Sequence, residues 1–105
     1  MKVAVIGSPA FVKAFELVGA EGYEAEAVEE VRRTIKNLIE RREHAIIILP
    51  ERYVKETAEV RSKALKEGGG IPMFAFIPDH LGGSGERVKE LKHLLSLAIG
   101  VKLKL

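Results

Sequence analysis

An uninterrupted apolar run, His44-Ala45-Ile46-Ile47-Ile48-Leu49, lies near the middle of the chain. A second run extends from Ile71 to Ile77 and is bounded by Pro72 and Pro78. Runs without polar alternation are typical of strands that are buried on both faces, and such strands occur in parallel sheets covered by helices. Together with the β-branched segment at residues 2–6, the two runs predict a parallel α/β sheet with these three strands at its centre.

Segments with helical periodicity separate the strands. The first begins at Ser8 and Pro9, because serine suits an N-cap and proline suits the first helical position. The four helices are predicted at residues 9–18, 29–42, 52–67 and 86–99. Gly100 is expected to end the last of them.

The segment from Tyr23 to Val28 alternates Tyr23, Ala25 and Ala27 with two glutamates, which is typical of an edge strand with one wetter face. Strands that are separated by helices must be parallel, and their crossovers are right-handed. The predicted strand order is 2-1-3-4, as in a shortened flavodoxin-like or receiver-like sheet. We therefore predict a single three-layer α/β domain over residues 1–105. Its core is expected at 1–82, and a C-terminal helix and tail at 83–105.

The composition excludes several classes of protein. The chain has no cysteine, so disulfides and thiolate metal sites are excluded. No apolar stretch approaches the ~20 residues of a membrane span, and no signal-peptide pattern is present. We expect a cytoplasmic protein without direct membrane insertion. The formal net charge of +2 comes from interleaved charges, so nucleic-acid binding is not expected. The lack of Gln beside abundant Lys, Arg and Glu is typical of proteins from hot habitats.

The carboxyl ends of the strands, where such sheets bind ligands, lack the residues of a phosphate site. A Walker loop requires a lysine that Gly82-Gly83-Ser84-Gly85-Glu86-Arg87 does not supply. A phosphoryl-accepting receiver requires an acidic pair after the first strand and an aspartate after the third. The chain has Ser8 and Glu51 at those places. A receiver-like or small-ligand-binding regulatory module without a phosphoacceptor remains the alternative function.

No set of catalytic or metal-ligating residues converges in the sequence. The histidines His44, His80 and His93 share no ligand spacing, and each is expected at the surface. The acidic residues Glu24, Glu26, Glu29 and Glu30 are interpreted as a solvated face, with a cation site as the less favoured interpretation. We therefore predict no catalytic residue, no metal and no cofactor, and a small enzyme ranks last among the functions.

The last helix and the tail carry more apolar residues than one sheet face needs. One stripe, Val88, Leu91, Leu95 and Ala98, suits packing on the domain's own sheet. The residues outside that stripe are Leu94, Leu97, Ile99, Val101, Leu103 and Leu105. Because exposed apolar patches commonly mark contacts between proteins, these six residues are the predicted partner-binding surface.

The chain as a whole resembles the F subunit of the rotary A-type and V-type ATPases. The elements that carry the resemblance are Val3-Ala4-Val5-Ile6-Gly7, Phe15-Glu16-Leu17-Val18-Gly19, Ala45-Ile46-Ile47-Ile48-Leu49 with Glu51-Arg52, Ile71-Pro72 through Ile77-Pro78, and Ile99-Gly100-Val101. Each element is unspecific by itself, and their order and spacing cover nearly the whole chain. The departures are Ser8, Phe11, Ala14 and Glu16, where the family commonly has Asp, Thr, Gly and Arg.

The resemblance implies a non-catalytic component of the central stalk. In the family, this component binds the long coiled-coil D subunit and turns with it inside the catalytic A/B ring. It thereby couples ATP synthesis or hydrolysis in the ring to proton or sodium transport. The family's C-terminal helix is mobile and can reach the ring, which implies a regulatory role for residues 83–105 here.

Overall fold

The computed structural model describes residues 2–68 and 71–78. They form four parallel strands that alternate with helices. In chain order these elements are β1 Lys2–Gly7, α1 Pro9–Glu16, β2 Glu21–Glu24, α2 Val28–Arg41, β3 His44–Pro50, a 3-10 turn Glu51–Tyr53, α3 Ala58–Gly68 and β4 Met73–Ile77. The strand order is β2-β1-β3-β4, so the predicted α/β class and topology are confirmed.

Two apolar clusters on opposite faces of the sheet form the core. On one face, α2 contributes Val31, Ile35 and Leu38, which pack against alternate residues of β1 and β3. On the other face, α1 contributes Phe11, Val12 and Phe15, which pack against the intervening strand residues. The strands β1 and β3 are therefore buried on both faces, as their unalternating sequences predict.

Glycine permits the close approach of α1 to β2. A Cβ atom at Gly22 would overlap Cγ1 of Val12, far inside van der Waals contact. Before this point the chain turns at Gly19, whose φ of +98° lies in the left-handed region that favours glycine. The strand β2 begins at Glu21, directly after this turn, and ends at Glu24, whereas the sequence predicted a strand from Tyr23 to Val28.

The third helix also begins later than the sequence predicted. Residues 51–53 form a single 3-10 turn, and α3 begins at Ala58 instead of Arg52. Tyr53 turns into the core at this place, and Thr57 is also buried. The Thr57 hydroxyl donates to the Tyr53 carbonyl oxygen at 2.7 Å, and Arg61 Nη2 donates to the Val54 carbonyl oxygen at 2.6 Å. These bonds hold an irregular segment that helical periodicity does not reveal.

Among the strands that the structure describes, β4 lies at the end of the sheet, beside β3. The expectation that residues 71–77 are central was wrong, because the residues of β4 are only half-buried or exposed. The predicted fourth helix lies outside the described residues. Of the helices in the described ranges, none is both long and apolar enough to cross a lipid bilayer.

Candidate functional site

At the carboxyl end of β1, where such a sheet would bind a ligand, side chains of the protein itself fill the space. Ser8 caps α1, because its Oγ accepts a hydrogen bond from the Phe11 backbone N–H at 3.4 Å. The Phe11 ring lies over Gly7, where a Cβ atom would stand 2.8 Å from Phe11 Cδ2. A phosphate cradle needs exposed backbone amides at this point. Here an aromatic ring covers the glycine instead.

The carboxyl edge after β3 is also used for packing. The Tyr53 hydroxyl donates to the Glu26 carbonyl oxygen, which ties the turn after β3 to the segment after β2. Arg52 lies over the Tyr53 ring at 4.9 Å and donates to its hydroxyl oxygen at 3.1 Å. Glu51, at the place of a receiver's acceptor, is exposed. These contacts stabilise the fold at the edge where a ligand would bind.

The acidic residues of the predicted solvated face, Glu24, Glu26, Glu29 and Glu30, are exposed, as expected. Within residues 2–68 and 71–78, no three histidine, aspartate or glutamate side chains gather closely enough to hold a metal ion. His80, His93 and the segment at residues 82–87 lie outside the described residues.

A groove of about 680 Å³ separates α2 and α3. Its walls carry both signs of charge, with Arg32, Arg33 and Lys36 on α2 facing Glu59 and Lys63 on α3. Mixed charges of this kind do not select a phosphate or another anion. The Nε atom of Arg32 donates to the Glu56 carbonyl oxygen at 2.8 Å, so this arginine links the two segments.

A polar network lies at the other end of the sheet, where the strands begin. Glu21 accepts a hydrogen bond from the Tyr23 hydroxyl, and its Oε1 lies 3.1 Å from Nε2 of His44. Lys2 Nζ is 3.4 Å from Glu21 Oε2. Arg41, in the last turn of α2, donates to the Tyr23 hydroxyl oxygen at 3.1 Å. The network joins the beginnings of β1, β2 and β3 to the end of α2.

His44 in this network is buried, with 1% of its surface exposed, so the expectation of a surface histidine was wrong. Because a carboxylate only accepts hydrogen bonds, Nε2 carries the proton in its contact with Glu21. Its Nδ1 has no hydrogen-bond partner in the described part of the chain. The position of His44 at the start of an apolar strand was the sequence signal for its burial.

The network favours the charged form of Glu21. The pKa of the Glu21 carboxyl is lowered to about 2, chiefly by the Tyr23 hydroxyl, then by the His44 ring and the charge of Lys2, against partial desolvation. Burial and the neighbouring carboxylate raise the pKa of Tyr23. The carboxylate is therefore a fixed acceptor that holds three strands together, and it is poorly suited to exchange protons near neutral pH.

We expect Glu21→Gln to destabilise the protein in a pH-dependent way. A lowered carboxyl pKa contributes stability that is present above the unfolded value, near 4.5, and is lost as the pH falls through about 2. Since 37% of the Glu21 side chain is exposed, the loss at pH 7 should be about 1 kcal/mol or less. Urea unfolding at pH 7, 4 and 2 measures it. Glu24→Gln, at the exposed end of β2, is the matched control. If Glu21→Gln lost as much stability at pH 2 as at pH 7, the assignment of the lowered pKa to Glu21 would be contradicted.

Exposed apolar residues border β4. Leu65 is 66% exposed, Ile71 46% and Met73 51%, and the rest of the strand is half-buried. We call Leu65, Ile71 and Met73–Ile77 the β4 margin. Apolar surface of this kind commonly marks a contact. Sequence reasoning missed this surface, although the last strand of the predicted order 2-1-3-4 must be an edge.

The six residues predicted to bind partners lie outside the described residues. They are Leu94, Leu97, Ile99, Val101, Leu103 and Leu105. The chain leaves the described part at Pro78, directly after β4.

Comparisons with known proteins agree with the resemblance seen in the sequence. A family model described as ATP synthase (F/14-kDa) subunit matches residues 3–95. The F subunit of the A-type ATP synthase of Methanothermobacter thermautotrophicus is 35% identical over 102 residues, which cover 96% of this chain and 94% of that protein. Its counterpart in Thermococcus kodakarensis, of the same name, is 34% identical over 110 aligned positions, covering 99% of both chains.

A solved structure supports the fold. The crystal structure of the F subunit of the V-type ATP synthase of Archaeoglobus fulgidus matches with a TM-score of 0.61 and 24% sequence identity. The match covers 72% of this chain and 95% of that chain. At this level of identity the likeness speaks for the architecture, and the family is carried by the sequence matches.

Proposed function

Because this chain belongs to the family of the ATP synthase (F/14-kDa) subunit, we propose that it is a non-catalytic component of the central stalk of an A-type or V-type ATP synthase. The match over residues 3–95 carries this proposal. The complex synthesises ATP and transports ions, and the role of this chain is to hold other subunits. Phe11 and Tyr53 pack at the carboxyl ends of the strands, where a sheet of this kind would bind a small ligand. This packing supports a role in binding other subunits in preference to a small ligand.

The proposed partner is the long coiled-coil D subunit of the stalk. A coiled coil presents an apolar seam flanked by charges, which suits a surface of leucines and valines interleaved with lysines. Leu94, Leu97, Ile99, Val101, Leu103 and Leu105 supply such a surface. The segment at residues 83–105 also reaches the catalytic A/B ring, and this chain couples the chemistry there to proton or sodium transport.

We propose that the chain consists of a fixed core and a C-terminal segment that contacts the partners. Residues 1–82 are the α/β core, and residues 83–105 are a helix and tail that change position. The stripe formed by Val88, Leu91, Leu95 and Ala98 can pack on the domain's own sheet, which leaves the other apolar residues to partners. The protein would thus be peripheral to the membrane and attached to it through the complex.

Co-expression with the D subunit of the same host tests the assignment to the stalk. Size-exclusion chromatography with light scattering should show a one-to-one complex that elutes as a single peak. If this chain elutes alone while the D subunit is present and soluble, the proposal fails. The alternative, a module that binds a small phosphorylated ligand, would then be tested by titration of the isolated chain with phosphate and nucleotides.

We expect removal of residues 94–105 to leave the core folded and to change the ATPase activity of the assembled complex. The core residues Ile35, Ile47 and Phe15 pack against other described residues, so we expect the core to stay folded without this segment. Activity is compared in complexes that contain equal amounts of the intact or the truncated chain. Equal activities in fully assembled complexes would contradict a regulatory role for the tail.

A further inference from the structure

We propose that the groove between α2 and α3 seats one amphipathic helix of another subunit of the complex. This helix places an acidic side chain over the cationic middle of the groove and a basic side chain over its acidic end. The candidate occupant, a helix of the coiled-coil D subunit, rests on the proposed function. The groove adds a contact on the α/β core to the contact proposed for residues 94–105.

The groove is an elongated trough between two helix faces. Its lining residues run from Glu29 to Glu40 on α2 and from Glu59 to Glu67 on α3. At ~1.5 Å per residue the two walls are about 16 Å and 12 Å long, which corresponds to two to three helical turns. Val60 of α3 packs against the same apolar cluster as the buried residues of α2, so both helices lie on one face of the sheet. A trough of this length suits a helix that lies along it, because helices pack by inserting side chains into such grooves.

The floor of the groove is apolar. Ile39 and Val60 line it and are half-buried, and the small side chain of Ala64 lies beside them. An occupant must therefore carry an apolar side chain towards the floor and charged side chains towards the walls. In a coiled coil, charged residues flank the apolar seam of each helix, so a helix of this type has both kinds of side chain.

Cationic side chains in the middle of the groove have no partner within the described part of the chain. Arg32 does contact the protein itself, since its Nη1 pairs with Glu29 at 2.9 Å. By contrast, the side chains of Arg33, Lys36 and Lys63 take part in no ion pair there, although they line the same groove. These three cations outnumber the one unpaired carboxylate of this part, Glu59. The middle of the groove is therefore cationic and available to a partner.

Carboxylates lie at the end of the groove where α2 and α3 finish. Glu40 and Glu67 line both the groove and an adjoining cleft of about 410 Å³ beside Ile71. Each follows the groove lysine of its own helix by four residues, which is about 6 Å along the axis. Residues at this spacing can pair within a helix, but lysine before glutamate is the weaker order, and neither pair forms in the described structure. The sign of the charge thus changes along both walls over the same helical turn.

A helix matches this arrangement of charges. Two side chains of a helix that are four residues apart share one face and lie about 6 Å apart along its axis. One acidic and one basic residue at that spacing therefore meet the cationic middle and the acidic end of the groove together. A small anion or cation would find its own sign of charge within one turn on both walls. Complementary charges of this kind chiefly fix the register and the identity of a partner.

Exchange of the groove charges tests the seat in the intact chain. The groove variant combines Lys36→Glu, Lys63→Glu, Glu40→Lys and Glu67→Lys, which inverts the order of charges and keeps the net charge of +2. It also creates the better order, glutamate before lysine, within each helix, so the variant should stay folded. Isothermal titration calorimetry with the D subunit should give a dissociation constant at least about tenfold higher, because like charges then face each other. The difference should shrink at about 0.5 M salt, which screens exposed charges.

An equal exchange outside the groove is the control. It combines Lys13→Glu, Lys66→Glu, Glu24→Lys and Glu51→Lys, four exposed positions that do not line the groove. Its net charge is also unchanged, so long-range attraction is preserved, and its affinity for the D subunit should stay within about twofold. Circular dichroism should show that both variants are folded. Equal weakening by the two exchanges would overturn the assignment of the groove.

Failure of the groove and failure of the stalk assignment give different results. If the unmodified chain does not bind the D subunit, the stalk assignment fails, and the groove loses its occupant with it. If the unmodified chain binds and the groove variant binds equally tightly, the helix does not lie in the groove, while the stalk assignment stands.

Thiol labelling gives a second readout that leaves the charges in place. The chain has no cysteine, so a single introduced thiol reports on its own surroundings. Val60→Cys lies on the floor of the groove, and Ser62→Cys is exposed on the same helix outside it. Bound D subunit should slow the maleimide labelling of residue 60 at least about fivefold and that of residue 62 less than about twofold, because labelling requires an accessible thiol. Equal rates at residue 60 with and without bound D subunit would contradict the seat.

Discussion

Phe15→Ala is expected to lower the free energy of unfolding by about 3–5 kcal/mol. Phe15 is 1% exposed and lies between α1 and the sheet. Its ring centroid is 5.1 Å from that of Phe11. Tilted aromatic pairs of this kind stabilise a core beyond the burial of their surface. Replacing the ring by a methyl group removes apolar contacts and leaves a cavity that a rigid helix–sheet contact cannot close.

A loss of this size is large for a small domain, whose total stability is commonly about 5–15 kcal/mol. Urea unfolding followed by circular dichroism measures the change. Leu17→Ala is the matched control, because Leu17 follows two residues later and is 73% exposed. Its effect should lie within about 0.5 kcal/mol. A loss below about 1 kcal/mol for Phe15→Ala would mean that α1 does not pack on the sheet as described.

The second large effect is expected on binding. If Leu94 and Leu97 contact the D subunit, the double variant Leu94→Ser, Leu97→Ser should raise the dissociation constant at least about 100-fold. Full burial of a leucine contributes about 1.5–3 kcal/mol, and each ~1.4 kcal/mol corresponds to a factor of ten. The affinity of the purified chain for the D subunit is measured by isothermal titration calorimetry.

A control variant shows whether the loss of affinity is specific to Leu94 and Leu97 or follows from replacing any exposed leucine. Leu17→Ser exchanges an exposed leucine, just after α1, for serine and should bind the D subunit like the unmodified chain. Circular dichroism before the titration should show that both variants are folded. Undiminished affinity of the double variant would remove Leu94 and Leu97 from the proposed partner surface, while the assignment to the family would remain.

Sequence periodicity was sufficient for the architecture. The unalternating runs at 2–6 and 44–49 predicted strands that are covered on both faces, and β1 and β3 have this environment. The helix predicted at 29–42 matches α2 within one residue at each end, because its apolar stripe repeats with the helical period. Ser8 and Pro9 likewise marked the start of α1.

Local patterns were less informative where a residue has a tertiary partner. The alternation of Tyr23 to Val28 resembled a strand, but residues 25–27 lead into α2, and the strand lies at residues 21–24. The helical periodicity of residues 52–57 was overridden by the burial of Tyr53 and the bonds of Thr57. In the second place, the contact of Tyr53 with the distant Glu26 carbonyl oxygen is one that periodicity cannot reveal.

The candidate sites divide in the same way. The sequence alone determined the sheet order and the family, because both depend on the succession of elements along the chain. The burial of His44, the low pKa of Glu21 and the exposure of the β4 margin needed the tertiary structure. These properties arise where residues 2, 21, 23, 41 and 44 meet at the amino ends of the strands, and at the outermost strand of the described sheet. Periodicity reports which faces of an element are apolar, whereas burial and electrostatics depend on which other elements those faces meet.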